Sequence, residues 1–251
     1  MPFFTPSPPI TEDEREWIES SMLRLIKLFG FETLRSRPTI LPDPRFFPER
    51  YTPDEQGLDR TVKTLCRHMD VPFDSLDIYL YSESEGIHLD RLAAWQSSHS
   101  GAAGKYSPRE NGRFFIGIES KLLVQPTKLV ATIAHELCHV LLLGGGRLDP
   151  GDDDQEYLTD LLTVFLGTGL FTANAAFEFT QWQGGSKHGW SASRQGYMSQ
   201  PMFGYALDGY CWMRGEKKPP WERLMTANVR EPFRRSMKYL VKTGKTELPA
   251  G

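Results

Sequence analysis

The stretch ATIAHELCHVLLLGGG, Ala131 to Gly146, sets two histidines four residues apart, with a glutamate directly after the first, in an otherwise apolar run. Four residues make about one helical turn, roughly 5.4 Å, so His135 and His139 share a face and can aim their imidazoles at a single ion. Glu136 is turned about 100 degrees from His135, beside the pair, where it reaches a water on the ion rather than the ion itself. The surrounding Ile133, Ala134, Leu137, Val140 and Leu141 are apolar, as in a buried scaffold helix that carries polar groups only where a site needs them. The pattern predicts a helix from near Pro126 and Thr127 to about Leu143, stopped by three glycines.

A catalytic zinc centre takes three protein ligands and leaves one position for water, so a third ligand must come from elsewhere. Glu156 is the best candidate. It opens the helical stretch EYLTDLLTVFLGTGLFTANAAFEF, and Asp160 follows four residues later on the same face. From there the Asp160 carboxylate could accept the remaining N–H of a ligating histidine and fix its tautomer. The link from His139 is sixteen residues, of which about nine form a loop able to span up to about 30 Å.

These two segments, HELCH and EYLTD, resemble the gluzincin group of zinc metallopeptidases, whose pattern is His-Glu-x-x-His followed on a second helix by Glu-x-x-x-Asp. The resemblance runs from about Arg113 to Leu170. It implies His135, His139 and Glu156 as ligands of one Zn2+ per chain, Glu136 as general base and Asp160 as a partner behind the ligands. It also implies a zincin-like core with a small sheet, an active-site helix and a following ligand helix. The gap between the two motifs is somewhat shorter than in the best-known members. A metzincin reading fails, because glycine and histidine or aspartate are needed where this chain has Leu142 and Gly145. The segment HELCHVLLLG also resembles the intracellular regulatory peptidases of the ImmA/IrrE type, which share a gluzincin-like core.

The expected chemistry is hydrolysis of a peptide or protein substrate by a metal-activated water, with Glu136 taking the proton and handing it to the leaving amine. RFFIGIES reads as a strand. As an edge strand it would bind an extended peptide, with Phe115 and Gly117 as the substrate-binding residues. A donor for the tetrahedral oxyanion is expected; the resemblance implies a downstream His or Tyr, with His188, Tyr197 and Tyr205 as candidates. One alternative is a non-catalytic, metal-stabilised binding or regulatory protein. Another is a buried helix whose histidines are satisfied by carboxylates without metal.

The rest of the chain predicts a mostly helical α+β protein. Residues 1–10 carry four prolines and read as an extended or disordered arm. Residues 11–251 read as one metallopeptidase-like domain, with N-terminal helices and a small sheet over 11–125 and the metal-site and C-terminal helices over 126–251. Thr11 and Glu14 stand in capping-box spacing before the stripe Trp17, Met22, Leu25, Ile26 and Phe29. Thr52 and Pro53 mark a second helix, SLDIYLYS alternates as a strand, and Ser199 caps a later helix.

A net charge of −3 implies no strong electrostatic partner. The segment from Met213 onward has ten Lys and Arg against four Glu, yet it lacks the aromatic and glycine pattern of a nucleic-acid module. The long apolar runs are broken by charged groups, so no membrane span is expected. Three widely spaced cysteines and an N-terminus without a signal-peptide pattern point to reduced thiols in a cytoplasmic protein.

Overall fold

Thr11 opens the first helix by a reciprocal cap: its side chain accepts from the Glu14 backbone, and the Glu14 carboxylate accepts from the Thr11 backbone. In chain order the computed structural model has α1 (Glu12–Phe29), α2 (Phe31–Ser36), α3 (Glu55–Met69), β1 (Leu76–Tyr81), β2 (Gly104–Pro108) and β3 (Phe114–Glu119). There follow α4 (Pro126–His139), α5 (Gln155–Phe165), α6 (Gly169–Trp182), α7 (Gln200–Met213) and α8 (Ala227–Thr243). The residues described are 6–82, 104–108, 112–149, 152, 154–182 and 198–251. They form a mostly helical α+β protein. Contacts divide them into two units, one of residues 6–41, 154–180 and 198–251, the other chiefly of residues 42–82, 104–108, 112–149 and 152. In this grouping α1 belongs with the C-terminal helices, and α4 with the strands before it.

The first unit is a layered set of helices in which α1 packs on α2, α5 and α7, and α7 packs on α8. Ile18, Met22 and Leu25 of α1 and Phe203, Tyr205 and Tyr210 of α7 are fully buried. Each aliphatic side chain so buried contributes about 1.5–3 kcal/mol. One acid lies among them. Glu19, 1% exposed, accepts from Arg15 Nη1 at 3.0 Å, from the Tyr205 hydroxyl at 2.5 Å and from the Glu247 backbone N–H at 2.9 Å. Three donors offset the cost of burying its charge and tie α1 to α7 and to the C-terminal segment. Ahead of α1, the Pro8 carbonyl accepts from Arg235 of α8.

The single helical stretch expected after Glu156 is broken in two. Gly167 takes φ +84°, and a Cβ there would stand 2.7 Å from the Pro38 carbonyl oxygen, so the chain turns at a position only glycine tolerates.

The second unit holds a three-stranded sheet of order β1-β3-β2, with β1 parallel and β2 antiparallel to β3. Leu76 pairs with Phe114 and Tyr81 with Glu119. Ile116 and Ile118 of β3 are fully buried, and α4 packs on β2, β3 and α3. The expected cap of α3 shifts by two residues: Asp54, not Thr52, accepts from Gly57 N at 2.8 Å, and the Thr52 hydroxyl donates to Asp54. Asp54 is better placed because its carboxylate can take both bonds at once.

Among the described residues, only Pro126–Gly144 is long and apolar enough to cross a membrane. With 72% of its apolar window buried inside the protein and His135, Glu136 and His139 among its buried residues, it reads as a core helix.

Candidate metal centre

Pro126 starts α4 in its first turn, where its missing N–H breaks no helical bond. Every residue from Leu129 to His139 is then buried. His135, Glu136 and His139 are 6%, 4% and 6% exposed. Burying three such side chains on one helix costs several kcal/mol unless partners offset it.

The two rings stand edge to face, with centroids 4.8 Å apart and planes at 81°. Their Nε2 atoms face each other at 3.1 Å. Two imidazoles bound to one tetrahedral zinc at about 2.0–2.1 Å place their nitrogens roughly 3.3 Å apart. The observed separation is thus close to that of a chelating pair, and the donor chemistry fits zinc.

Immediately after His139 the helix widens into a π-turn, Val140–Gly144. Such turns occur often at functional sites. Sequence periodicity does not distinguish a π-turn from the last turn of the expected helix. Its end is fastened: Arg147 Nη1 donates to the Leu141 carbonyl, and the Arg147 and Leu148 amides donate to Leu142. Gly144 lies so close to Phe114 that a Cβ would run into the ring.

Glu156 sits in the first turn of α5. One carboxylate oxygen of Glu156 and one ring nitrogen from each of His135 and His139 all lie within 4.8 Å of one another. Asp160, four residues on, is 3% exposed, and its Oδ2 accepts the Met198 N–H at 2.9 Å. That bond fixes the entry to α7, whose cap Ser199 accepts from Met202 N.

The other expected site residues fare differently. His188 and Tyr197 lie outside the described residues. Tyr205 is fully buried with its hydroxyl donated to Glu19, and burial and that carboxylate both raise its pKa. A hydroxyl committed in this way cannot turn to an incoming oxyanion, so Tyr205 is a structural residue. Phe115 and Gly117 also need correction. They lie on β3, the central strand, hydrogen-bonded on both sides, so their backbone cannot take an added peptide strand. Among the described residues the sheet edges are β1 and β2.

Two acids escaped the sequence reading. Glu19 stands at helical spacing from Met22 and Ile26, on the apolar face of α1, a position where an acid signals a buried network. Asp208 lies in the apolar run GYALDGYCW and is 4% exposed, its Oδ2 without a hydrogen-bond partner. The three cysteines are buried and unbridged, and burial pushes the Cys66 thiol up to about 12.

No protein-family model matches the chain, and neither a curated protein nor a solved structure matches it significantly.

Proposed function

We propose that the protein is a zinc-dependent hydrolase of gluzincin type, acting on peptide bonds, with His135, His139 and Glu156 as ligands and Glu136 as general base. One observation carries the reading: two imidazoles and a carboxylate converge within 4.8 Å, with Glu136 next to the first ligand on the same buried helix. Bound zinc supplies an acidified water, with a pKa near about 7, and polarises a carbonyl. The helix holds His135 and His139 with their Nε2 atoms 3.1 Å apart, near the separation of a chelating pair. Glu136 holds the proton taken from the attacking water and delivers it to the leaving amine. A purely structural centre has no use for an acid at that position. The gluzincin reading assigns Asp160, four residues after Glu156 on α5, the role of orienting a ligand, and its core would be zincin-like. Three buried, unbridged thiols suit the reducing cytoplasm.

The test is incubation of the zinc-loaded protein with a defined peptide library, read by mass spectrometry. Cleavage by the wild type that Glu136→Gln abolishes supports a peptidase. Zinc binding with no cleavage of any library member leaves a metal-stapled binding protein as the better account.

A further inference from the structure

Glu156 begins a helix that has no side-chain cap. The N-cap residue of α5 is Asp154, and its carboxylate accepts nothing from the first-turn amides. An uncapped first turn frays readily, yet this turn carries the carboxylate of the metal group.

The Asp154 carboxylate is engaged elsewhere. Trp17 Nε1 on α1 donates to Asp154 Oδ2 at 3.0 Å. The indole also meets Tyr157 edge to face, with ring centroids 5.5 Å apart and planes at 71°. One side chain thus grips the residue two positions before Glu156 and the residue directly after it. Its platform is rigid: the neighbouring Ile18 and Glu19 are buried, and Glu19 is held by Arg15, Tyr205 and the Glu247 amide.

We propose that Trp17 is a positioning residue for the metal centre, bracketing Glu156 through Asp154 and Tyr157 and setting the placement of its carboxylate. The proposal rests on the metal-centre reading. It goes further in assigning a metal-affinity role to a helix about 140 residues earlier in the chain, whose spacing marked Trp17 only as an apolar stripe residue. Groups that orient a ligand change metal affinity by roughly 10- to 100-fold when removed.

The experiment measures zinc affinity of the full chain by competition with a chromophoric chelator, in wild type, Trp17→Phe, Glu156→Ala and the double variant. Trp17→Phe weakens zinc binding by about 10-fold when Glu156 is present and has no effect when it is absent. Asp154→Ala reproduces the loss, and Asp154→Asn, which keeps an oxygen acceptor for the indole, retains wild-type affinity. If Trp17→Phe does not fold, the two Asp154 variants read the same coupling. Wild-type affinity in Trp17→Phe overturns the proposal, as does an equal loss with and without Glu156, which would mark a general effect on the fold. Wild type that takes up no zinc overturns the metal-centre reading itself, and the proposal with it.

Discussion

His135 Nε2 and His139 Nε2 face each other at 3.1 Å on the buried stretch Leu129–His139 of α4. Two neutral imidazoles reach this distance only if one donates and the other accepts, whereas a shared cation uses a lone pair from each. Zinc binding by such a pair is linked to protons, because the ligand form of histidine is neutral. Zinc retention measured from pH 8 down to pH 5 is expected to fall on the acid side. Retention that is flat across that range would place the metal on other residues.

Glu136→Gln separates binding from chemistry. The amide keeps the size of the acid but cannot take a proton, so zinc content and folding stay at wild-type levels while hydrolysis falls by at least about 100-fold. Unchanged hydrolysis would remove Glu136 from the mechanism.

Tyr205→Phe tests its assignment as a structural residue. Its hydroxyl supplies one of three bonds to the buried Glu19, and removing a hydrogen bond to a charged group costs about 1.5–3 kcal/mol. Urea unfolding is expected to show that loss, with the rate of peptide hydrolysis in the folded protein unchanged. A selective fall in rate with unchanged stability would return Tyr205 to the active site.

Asp208 makes stability depend on pH. Burial raises its carboxyl to about 8, far above its ordinary value. The folded state therefore keeps a proton that the unfolded chain releases above about pH 4. Stability falls as pH rises from there towards 8, by up to about 1.4 kcal/mol per pH unit, and this contribution levels off beyond 8. In Asp208→Asn the contribution is gone, so the variant gains on the wild type between pH 5 and pH 8 in urea unfolding. Parallel pH profiles for the two proteins would show that the carboxyl is not held neutral.

Much of the helical framework is legible in one dimension because its signals are local. The Thr11–Glu14 box, the Ser199 cap and the alternation of Leu76 to Tyr81 each involve residues within one or two turns or strand positions of one another. The His135–His139 face, with Glu136 beside it, is legible for the same reason, and so is the place of Glu156 in a first turn, four residues before Asp160. What escaped depends on distant partners. The central place of β3 is set by which strands flank it, and RFFIGIES carries no mark of that. The break at Gly167 is decided by the approach of the Pro38 carbonyl, and α1 joins the C-terminal helices through Glu19, Tyr205 and Glu247. Trp17 reads as one more apolar residue until Asp154 is seen at its indole nitrogen.

The central claim is that the buried histidine pair holds a metal. Its most direct test is elemental analysis of the purified protein, comparing wild type with the His135→Ala/His139→Ala variant. About one zinc per chain in the wild type and none in the variant is the predicted result. Wild-type protein that is metal-free as purified and takes up no zinc on reloading would contradict it.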